Sequence, residues 1–167
     1  MREIMIDKVT VNIGVGTGGE ALENAEKLMQ ELTGVKPVRT RAKKRNPVFK
    51  LRPGTEIGVK ATLRNKSAEE FLKKTFASRK NTIPESAFDS TGNFSIGVRE
   101  YIDFPGAKYN PKIGMFGFDV CVTLARRGYR VSRRKIAKSS IGKSHRIGKH
   151  EAVEFIKNKF GVAIEGG

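Results

Sequence analysis

One glycine-rich segment has the spacing of a dinucleotide-binding turn. Residues 14–19 read Gly-Val-Gly-Thr-Gly-Gly and lie between a predicted strand and a predicted helix, which is the context of the G-x-G-x-x-G motif. That helix, however, begins with Glu20 and Glu23, and carboxylates at a helix N-terminus would repel a pyrophosphate. The next predicted strand, residues 38–42, leads into cations and offers no acid for a ribose. A structural turn is therefore favoured, with a dinucleotide-binding enzyme as an alternative.

The other residues that could catalyse a reaction form no recognisable constellation. Cys121 lies within a predicted strand, where a packed thiol is the usual case. His145 and His150 lie in or beside a basic segment, and neither Asp103 nor Asp119 has an evident partner carboxylate. One Cys and two His are too few for an ordinary structural zinc site. We therefore expect no catalytic residue, no metal and no cofactor, and we predict that the protein is not an enzyme.

Positive charge is the strongest signal in the composition. The 167 residues include 33 Lys and Arg against 17 Asp and Glu, a formal net charge of +16 at pH 7. Residues 32–55 and 120–150 contain no acid at all and are rich in Lys and Arg. An ordinary solvated surface mixes both signs, so clustering favours a nucleic-acid partner. Neither window has the apolar stripe of a helix that lies on a membrane.

The sequence gives no sign of export or of a membrane segment. The longest stretch without a charged residue is 9–19, well short of the roughly 20 apolar residues of a spanning helix. The N-terminus has no apolar run followed by a cleavage site. A single Cys cannot form an internal disulfide, which fits a reducing compartment. We expect a cytoplasmic protein without a membrane partner.

Hydrophobic periodicity predicts an α+β fold with a single, mainly antiparallel sheet. Alternation predicts strands at residues 8–13, 38–42, 57–64, 94–98 and 118–124. Helical spacing predicts helices at residues 20–33 and 151–160, which Gly34 and Gly161 would cap. A capping-box pattern at residues 67–70 predicts the start of another helix, and residues 77–93 read as a long connection. We predict one domain over residues 1–167, with a basic extended segment at about 126–149.

One face of the predicted sheet is free for RNA, because the helices are expected to cover the other face. The outward positions of the strands at 8–13 and 57–64 are Lys8, Thr10, Asn12, Lys60, Thr62 and Arg64. Cations neutralise phosphates, and Asn and Thr hydrogen-bond to phosphate, ribose or base edges. No aromatic residue on this face could stack a base, so we expect structured RNA rather than single strands. Spacing alone leaves open whether the two strands are neighbours. A general module that binds many structured RNAs alike remains an alternative.

Six sequence blocks, in order, resemble the family of large-subunit ribosomal protein five, the 5S-rRNA-binding ribosomal proteins, in its archaeal and eukaryotic form. The blocks are residues 8–16, 34–43, 57–64, 88–94, 101–106 and 113–119. The resemblance implies a structural component of the large ribosomal subunit, in the central protuberance. The implied partners are 5S rRNA, large-subunit rRNA, P-site tRNA and neighbouring large-subunit proteins. Asn65 stands where the family commonly has Gly.

The resemblance also assigns residues to partners. Together with the alternation it places 5S rRNA on Lys8, Thr10, Asn12, Lys36, Arg39, Lys60, Thr62 and Arg64. It places P-site tRNA on a basic loop with its tip around residues 44–47. The residues of that loop are Lys43, Lys44, Arg45, Asn46, Pro47 and Lys50. Independently of the resemblance, we expect the basic segment to lie along other rRNA or beside another protein. Its expected rRNA contacts are Arg126, Arg127, Arg130, Arg133, Arg134 and Lys135.

Overall fold

The computed structural model describes residues 1–16 and 18–165 and has an α+β architecture. The strands are β1 (Ile4–Gly14), β2 (Val38–Arg41), β3 (Glu56–Leu63), β4 (Thr82–Pro84), β5 (Phe94–Val98), β6 (Phe118–Arg126) and β7 (Ala163–Glu165). The helices are α1 (Glu20–Thr33), α2 (Asn65–Ser78), α3 (Arg130–Arg133) and α4 (Lys149–Phe160). Five strands form an antiparallel sheet in the order β2-β3-β1-β6-β5, and β4 pairs with β7 in parallel. The predicted fold class is confirmed.

The contacts divide the described chain into two units. The α1 unit consists of Thr10–Leu63 and Gly97–Val120. The α4 unit consists of Met1–Val9, Arg64–Ile96 and the residues from Cys121 onward. Strands β1, β5 and β6 each contribute residues to both units. Each unit has buried apolar residues of its own.

In the α1 unit, one helix covers one face of the strands. Helix α1 has the predicted bounds and buries Leu22, Ala25, Leu28 and Met29, and it packs on β3. The helix ends at Gly34, which has a left-handed φ of 67° and donates its N–H to the Gln30 carbonyl at 2.8 Å. This is the C-terminal cap that the sequence predicted.

In the α4 unit, the core is built by α2, α4 and the first half of β5. Helix α2 buries Phe71, Leu72 and Phe76, as predicted. The Phe76 ring meets Phe160 of α4 edge-on, with centroids 5.1 Å apart, and stacks on Phe94 of β5 at 6.4 Å. Such aromatic pairs add stabilisation beyond the apolar area that they bury.

Two predictions about the α4 unit are wrong. The capping box at residues 67–70 does not open α2, because the helix begins at Asn65 and Ser67 lies in its first turn. Asn65 has a φ of 53°, a left-handed conformation that Gly adopts freely and that Asn tolerates better than most residues. The connection predicted at residues 77–93 contains β4, whose register with β7 pairs Ile83 with Ile164.

The segment between β6 and α4 is held by Tyr129. The Tyr129 hydroxyl donates to the His145 carbonyl at 3.2 Å and accepts from the Ile147 backbone N–H at 3.0 Å. The Tyr129 ring also packs edge-on against His145, with centroids 5.8 Å apart. Ile147 is 2% exposed. The segment contains the single turn of α3 and is otherwise largely irregular.

Candidate nucleic-acid interface

The face of the α1 unit away from α1 carries the polar side chains that alternation predicted. On β1, Thr10 and Asn12 are half-exposed, whereas Val11 and Ile13 are buried. On β3, the alternation separates buried Val59, Ala61 and Leu63 from exposed Lys60 and Thr62. β1 and β3 are neighbours in the sheet, which answers the question that spacing left open. The prediction that these side chains point away from the core is confirmed.

Lys36 and Arg39 were also predicted to contact RNA, and the register of β2 shows on which side of the sheet Arg39 lies. Lys36 is exposed between Gly34 and β2. Arg39 is paired with buried Val59, and Val38 with Lys60. Directly opposite residues share a face of the sheet. Arg39 therefore lies on the face that α1 covers, and Val38 lies beside Lys60 on the other face.

Arg39 holds two carboxylates. Its guanidinium lies 2.9 Å from Glu26 of α1 and 3.0 Å from Glu56 of β3, and Arg41 adds a longer contact of 3.4 Å to Glu56. The hydrogen bond from Arg39 is the largest cause that lowers the pKa of Glu56, and the same bond raises the pKa of Arg39. Arg39 therefore fastens α1 to the sheet edge.

In the α4 unit, Arg64 is held by Asp7. Nη1 of Arg64 lies 3.1 Å from the Asp7 carbonyl oxygen and 3.3 Å from its Oδ1. Nη1 of Arg133, from the basic segment, lies 2.7 Å from Asp7 Oδ2. The Asp7 side chain is only 17% exposed, while the two arginines are about half-exposed. Lys8, the next residue of β1, is half-exposed.

The predicted basic loop, residues 43–50, lies within a narrow hairpin that reaches from Ala42 to Thr55. The backbones of Asn46 and Leu51 exchange two hydrogen bonds, with N–O distances of 3.0 and 2.9 Å. Within the turn, the Lys50 N–H donates to the Pro47 carbonyl at 3.1 Å. The predicted tRNA residues are exposed apart from half-buried Asn46: Lys43, Lys44, Arg45, Pro47 and Lys50.

The predicted tip of this hairpin is wrong by a few residues. The turn spans residues 47–50, and the predicted tip at 44–47 lies mostly on the arm that precedes the turn. Val48 and Phe49, which sequence reasoning missed, occupy the turn and are 84% and 70% exposed. The signal was present, since this is an apolar pair inside a cationic window, next to Pro47.

Five of the six cations predicted to contact rRNA in the basic segment are exposed. Exposed members of the set are Arg127, Arg130, Arg133, Arg134 and Lys135. Arg126 is the exception, because its side chain is 7% exposed and its Nη2 lies 2.8 Å from Glu151 Oε1. The prediction of an RNA contact at Arg126 is corrected on this ground: the guanidinium is enclosed, and it ties the end of β6 to α4.

Glu151 is also the acceptor at the start of α4. Its Oε2 accepts the Gly148 backbone N–H at 3.2 Å, which is the glutamate half of a capping box. This bond, and after it the bond from Arg126, lowers the pKa of Glu151. The carboxylate therefore stabilises the helix start and neutralises the enclosed guanidinium together.

In the glycine-rich turn, of which Thr17 lies outside the described residues, two backbone N–H groups bond to the neighbouring strand. The backbone N–H groups of Val15 and Gly16 both donate to the Ile57 carbonyl, at 3.0 and 2.8 Å. They are thus turned toward β3 and away from any pyrophosphate. Among residues 1–16 and 18–165, no cluster of three or more metal-ligating side chains occurs. No helix in that part of the chain has the length and apolar character needed to cross a membrane.

Two sequence models of one family match the chain along nearly its whole length. The model described as ribosomal protein L5 matches residues 1–52, and a second model, which describes the C-terminus of the same ribosomal family, matches residues 56–157. The chain belongs to the ribosomal protein L5 family. It is accordingly a structural protein of the large ribosomal subunit and not an enzyme, which removes the dinucleotide-binding alternative.

Archaeal members of the L5 family are similar over almost all of this chain. The large ribosomal subunit protein uL5 of Sulfolobus acidocaldarius is 51% identical over 164 residues, which cover 98% of this chain and 92% of the relative. The Sulfurisphaera tokodaii protein of the same name is 52% identical over 168 residues, or 100% and 95% of the two chains. That of Methanococcus maripaludis is 50% identical over 167 residues, or 98% and 92%.

Proposed function

We propose that this L5-family protein binds 5S rRNA in the central protuberance of the large subunit and contacts P-site tRNA through its hairpin. The observation that carries the first part is the row of polar side chains that point away from the core, half-exposed on β1 and exposed on β3. In the α1 unit the contact residues are Thr10, Asn12, Lys36, Lys60 and Thr62. In the α4 unit they are Lys8 and Arg64. Arg39 is left out, because it faces α1 and is engaged by two carboxylates.

The chemistry of the row suits the backbone of folded RNA. Lys60 supplies a charge for a phosphate, and Thr10, Asn12 and Thr62 supply hydrogen bonds that can reach ribose hydroxyls. On β6, the exposed residue Asp119 is an acid, whereas the exposed residues Lys60 and Thr62 of β3 are a cation and a hydroxyl. Because the opposite side of these strands is packed, the row is already ordered and needs little rearrangement on binding.

The hairpin combines charge with an apolar end. Lys43, Lys44 and Arg45 lie on one arm, Lys50 is the last residue of the turn, and Arg52 lies on the other arm. These cations suit tRNA phosphates, while the exposed Phe49 ring offers a flat surface against a ribose or a base. The two bonds between Asn46 and Leu51 hold the arms together, so the end of the hairpin can be presented at a distance from the sheet.

The test of the sheet row is filter binding of the full chain to 5S rRNA, with tRNA and a random duplex RNA of equal length as competitors. Lys60→Gln should weaken 5S rRNA binding about tenfold and lower the slope of log affinity against log salt by about 1, since one phosphate contact is lost. Thr62→Ala should weaken binding severalfold with less effect on the slope.

The matched control is Lys27→Gln, which makes the same change on the exposed side of α1. It should leave both affinity and slope unchanged. Equal losses in Lys27→Gln and Lys60→Gln would mean that net charge alone drives binding. Equal binding of the wild-type protein to all three RNAs would contradict a specific 5S rRNA site.

A further inference from the structure

We propose that the α4 unit holds a separate pocket for a single unstacked nucleotide of ribosomal RNA, with the base enclosed and its phosphate on arginines at the rim. This inference rests on the proposed rRNA-binding function and adds a mode of contact that the sheet row lacks. The row has no aromatic side chain that could stack on a base, whereas the pocket is lined by the ring of Tyr129.

The pocket has the size and lining expected for a base. Its volume is about 280 Å³, just below the range of pockets that enclose drug-sized ligands. The apolar part of the lining is Leu124 of β6, Tyr129, Ile141 and Ile147. Thr123 adds a hydroxyl that can bond to a base edge. Proteins commonly hold splayed-out RNA bases by this combination of a flat apolar wall and a few polar groups.

Hydrogen bonds within the protein hold several residues that line the pocket. Tyr129 cannot swing away, because its hydroxyl bonds to both His145 and Ile147. Among the other lining residues, Asn93 Oδ1 accepts the Leu124 N–H at 3.3 Å. The turn that carries Asn93 is held by Asp89, whose Oδ1 accepts the N–H groups of Thr91 and Asn93 at 2.9 and 2.8 Å. A preformed site loses less entropy when it is filled.

Two arginines stand at the rim and are partly held in place. Arg133 is anchored on Asp7 through Nη1, and Arg146 donates Nε to the Ile141 carbonyl at 3.2 Å. Each of these bonds uses one of the five N–H donors of a guanidinium, so both residues keep donors for a phosphate. Asp7 is already shared with Arg64, which reduces its repulsion of an anion.

The lining favours a nucleotide over a free phosphate. A phosphate site needs cations and N–H groups alone, and apolar walls would add nothing to its affinity. Here most of the lining surface is apolar, and the two lining arginines, Arg133 and Arg146, are exposed. This arrangement matches a ligand with a flat, weakly polar ring joined to an anion.

The test uses methyl NMR of the full chain with AMP, GMP, CMP and UMP at millimolar concentration, beside inorganic phosphate and the free nucleosides. Nucleotides should shift the methyl signals of Leu124, Ile141 and Ile147. Nucleosides should bind severalfold more weakly because they lack the phosphate. Ile141→Trp should abolish the shifts of Leu124 and Ile147 by filling the pocket. The matched control, Ile136→Trp, changes a residue that is 83% exposed and outside the lining, and it should behave as wild type.

A second variant guards against misfolding of Ile141→Trp. Arg146→Gln should weaken nucleotide binding severalfold and leave nucleoside binding unchanged. The pocket is refuted if inorganic phosphate gives the same methyl shifts as the nucleotides, or if no nucleotide moves these signals. Filter binding to 5S rRNA separates the two proposals. If the protein prefers 5S rRNA but nucleotides cause no methyl shifts, the pocket alone is refuted. If nucleotides cause methyl shifts but the protein does not prefer 5S rRNA, the proposed 5S rRNA function alone is refuted.

Discussion

Arg64 and Arg133 donate to the two oxygens of one carboxylate, that of Asp7, at 3.3 and 2.7 Å. The first immediately precedes α2, and the second lies in the segment after β6. Sequence reasoning placed them in two separate RNA-binding sets, yet a single acid orients both. A guanidinium held in this way loses less side-chain entropy when it meets a phosphate.

Asp7→Asn should therefore destabilise the protein. The substitution leaves two guanidinium groups close together without the negative charge that they share. The free energy of unfolding should fall by about 1 kcal/mol, near the upper end for an exposed ion pair, because Asp7 is mostly enclosed. Urea denaturation at neutral pH measures it. Asp119→Asn, which removes an exposed carboxylate on β6, should change stability by less than about 0.5 kcal/mol. Equal unfolding midpoints for wild type and Asp7→Asn would contradict a structural role for the shared acid.

Glu151 should contribute a pH-dependent part of stability. Its pKa in the folded protein lies below the ordinary value of 4.5, owing first to the Gly148 N–H and then to Arg126. A lowered folded pKa means that the contribution is complete above pH 4.5 and is lost as pH falls through the folded value. Glu151→Gln should thus be less stable than wild type at pH 7, and the difference should shrink below pH 4.

The matched variant for this experiment is Glu154→Gln, an exposed glutamate on the same helix. Its curve of unfolding free energy against pH should run close to that of the wild type. A Glu151→Gln difference that stays constant from pH 7 to pH 3 would show that the ionised carboxylate is not what stabilises this region.

Gly58→Ala should strain the centre of the sheet row. A Cβ at Gly58 would lie 2.6 Å from the backbone oxygen of Ile13, and a backbone atom between paired strands cannot move aside. We expect a loss of about 2 kcal/mol and weaker 5S rRNA binding, because Lys60 lies two residues further on. Gly97→Ala on β5 meets only an ordinary contact of 3.5 Å with Asp119 and should be nearly neutral in thermal unfolding.

Phe49→Ala should weaken the proposed contact with tRNA and leave the proposed contact with 5S rRNA unchanged. The ring is 70% exposed, so its removal should not change the melting temperature or the affinity for 5S rRNA. In large subunits that contain the variant, tRNA should leave the P site severalfold faster. Tyr109→Ala removes another exposed aromatic ring, 59% exposed and outside the hairpin, and should leave that rate unchanged. An unchanged tRNA off-rate in Phe49→Ala would remove this residue from the proposed contact.

Elements with strong periodicity could be predicted from sequence alone. Helix α1 and strand β5 have the predicted bounds, because apolar residues at helical or alternating spacing are set by local geometry. The row on β3 follows from the same rule. Strands β4 and β7 could not be predicted, since each has three residues and three residues are too few to display alternation.

Long-range pairing explains the remaining errors in the candidate site. Arg126 looks like any other cation of the acid-free window, and only the folded chain brings Glu151 within 2.8 Å of it. In the sequence, Arg39 likewise looks like a free surface cation. In the folded chain, the register of β2 places it on the same face as Glu26, with which it forms an ion pair. Charge counting cannot find such acids, because they lie outside the basic windows in sequence.

The Tyr129 hydroxyl has a consequence for the kinetics of assembly. By bonding to both His145 and Ile147, it closes the chain between β6 and α4 into a loop through contacts within the protein. An arginine-rich segment that had to fold on its partner would add a slow, concentration-independent phase to association. A segment that is closed beforehand can dock in one bimolecular step, with a rate set by diffusion and by the ionic strength of the solution.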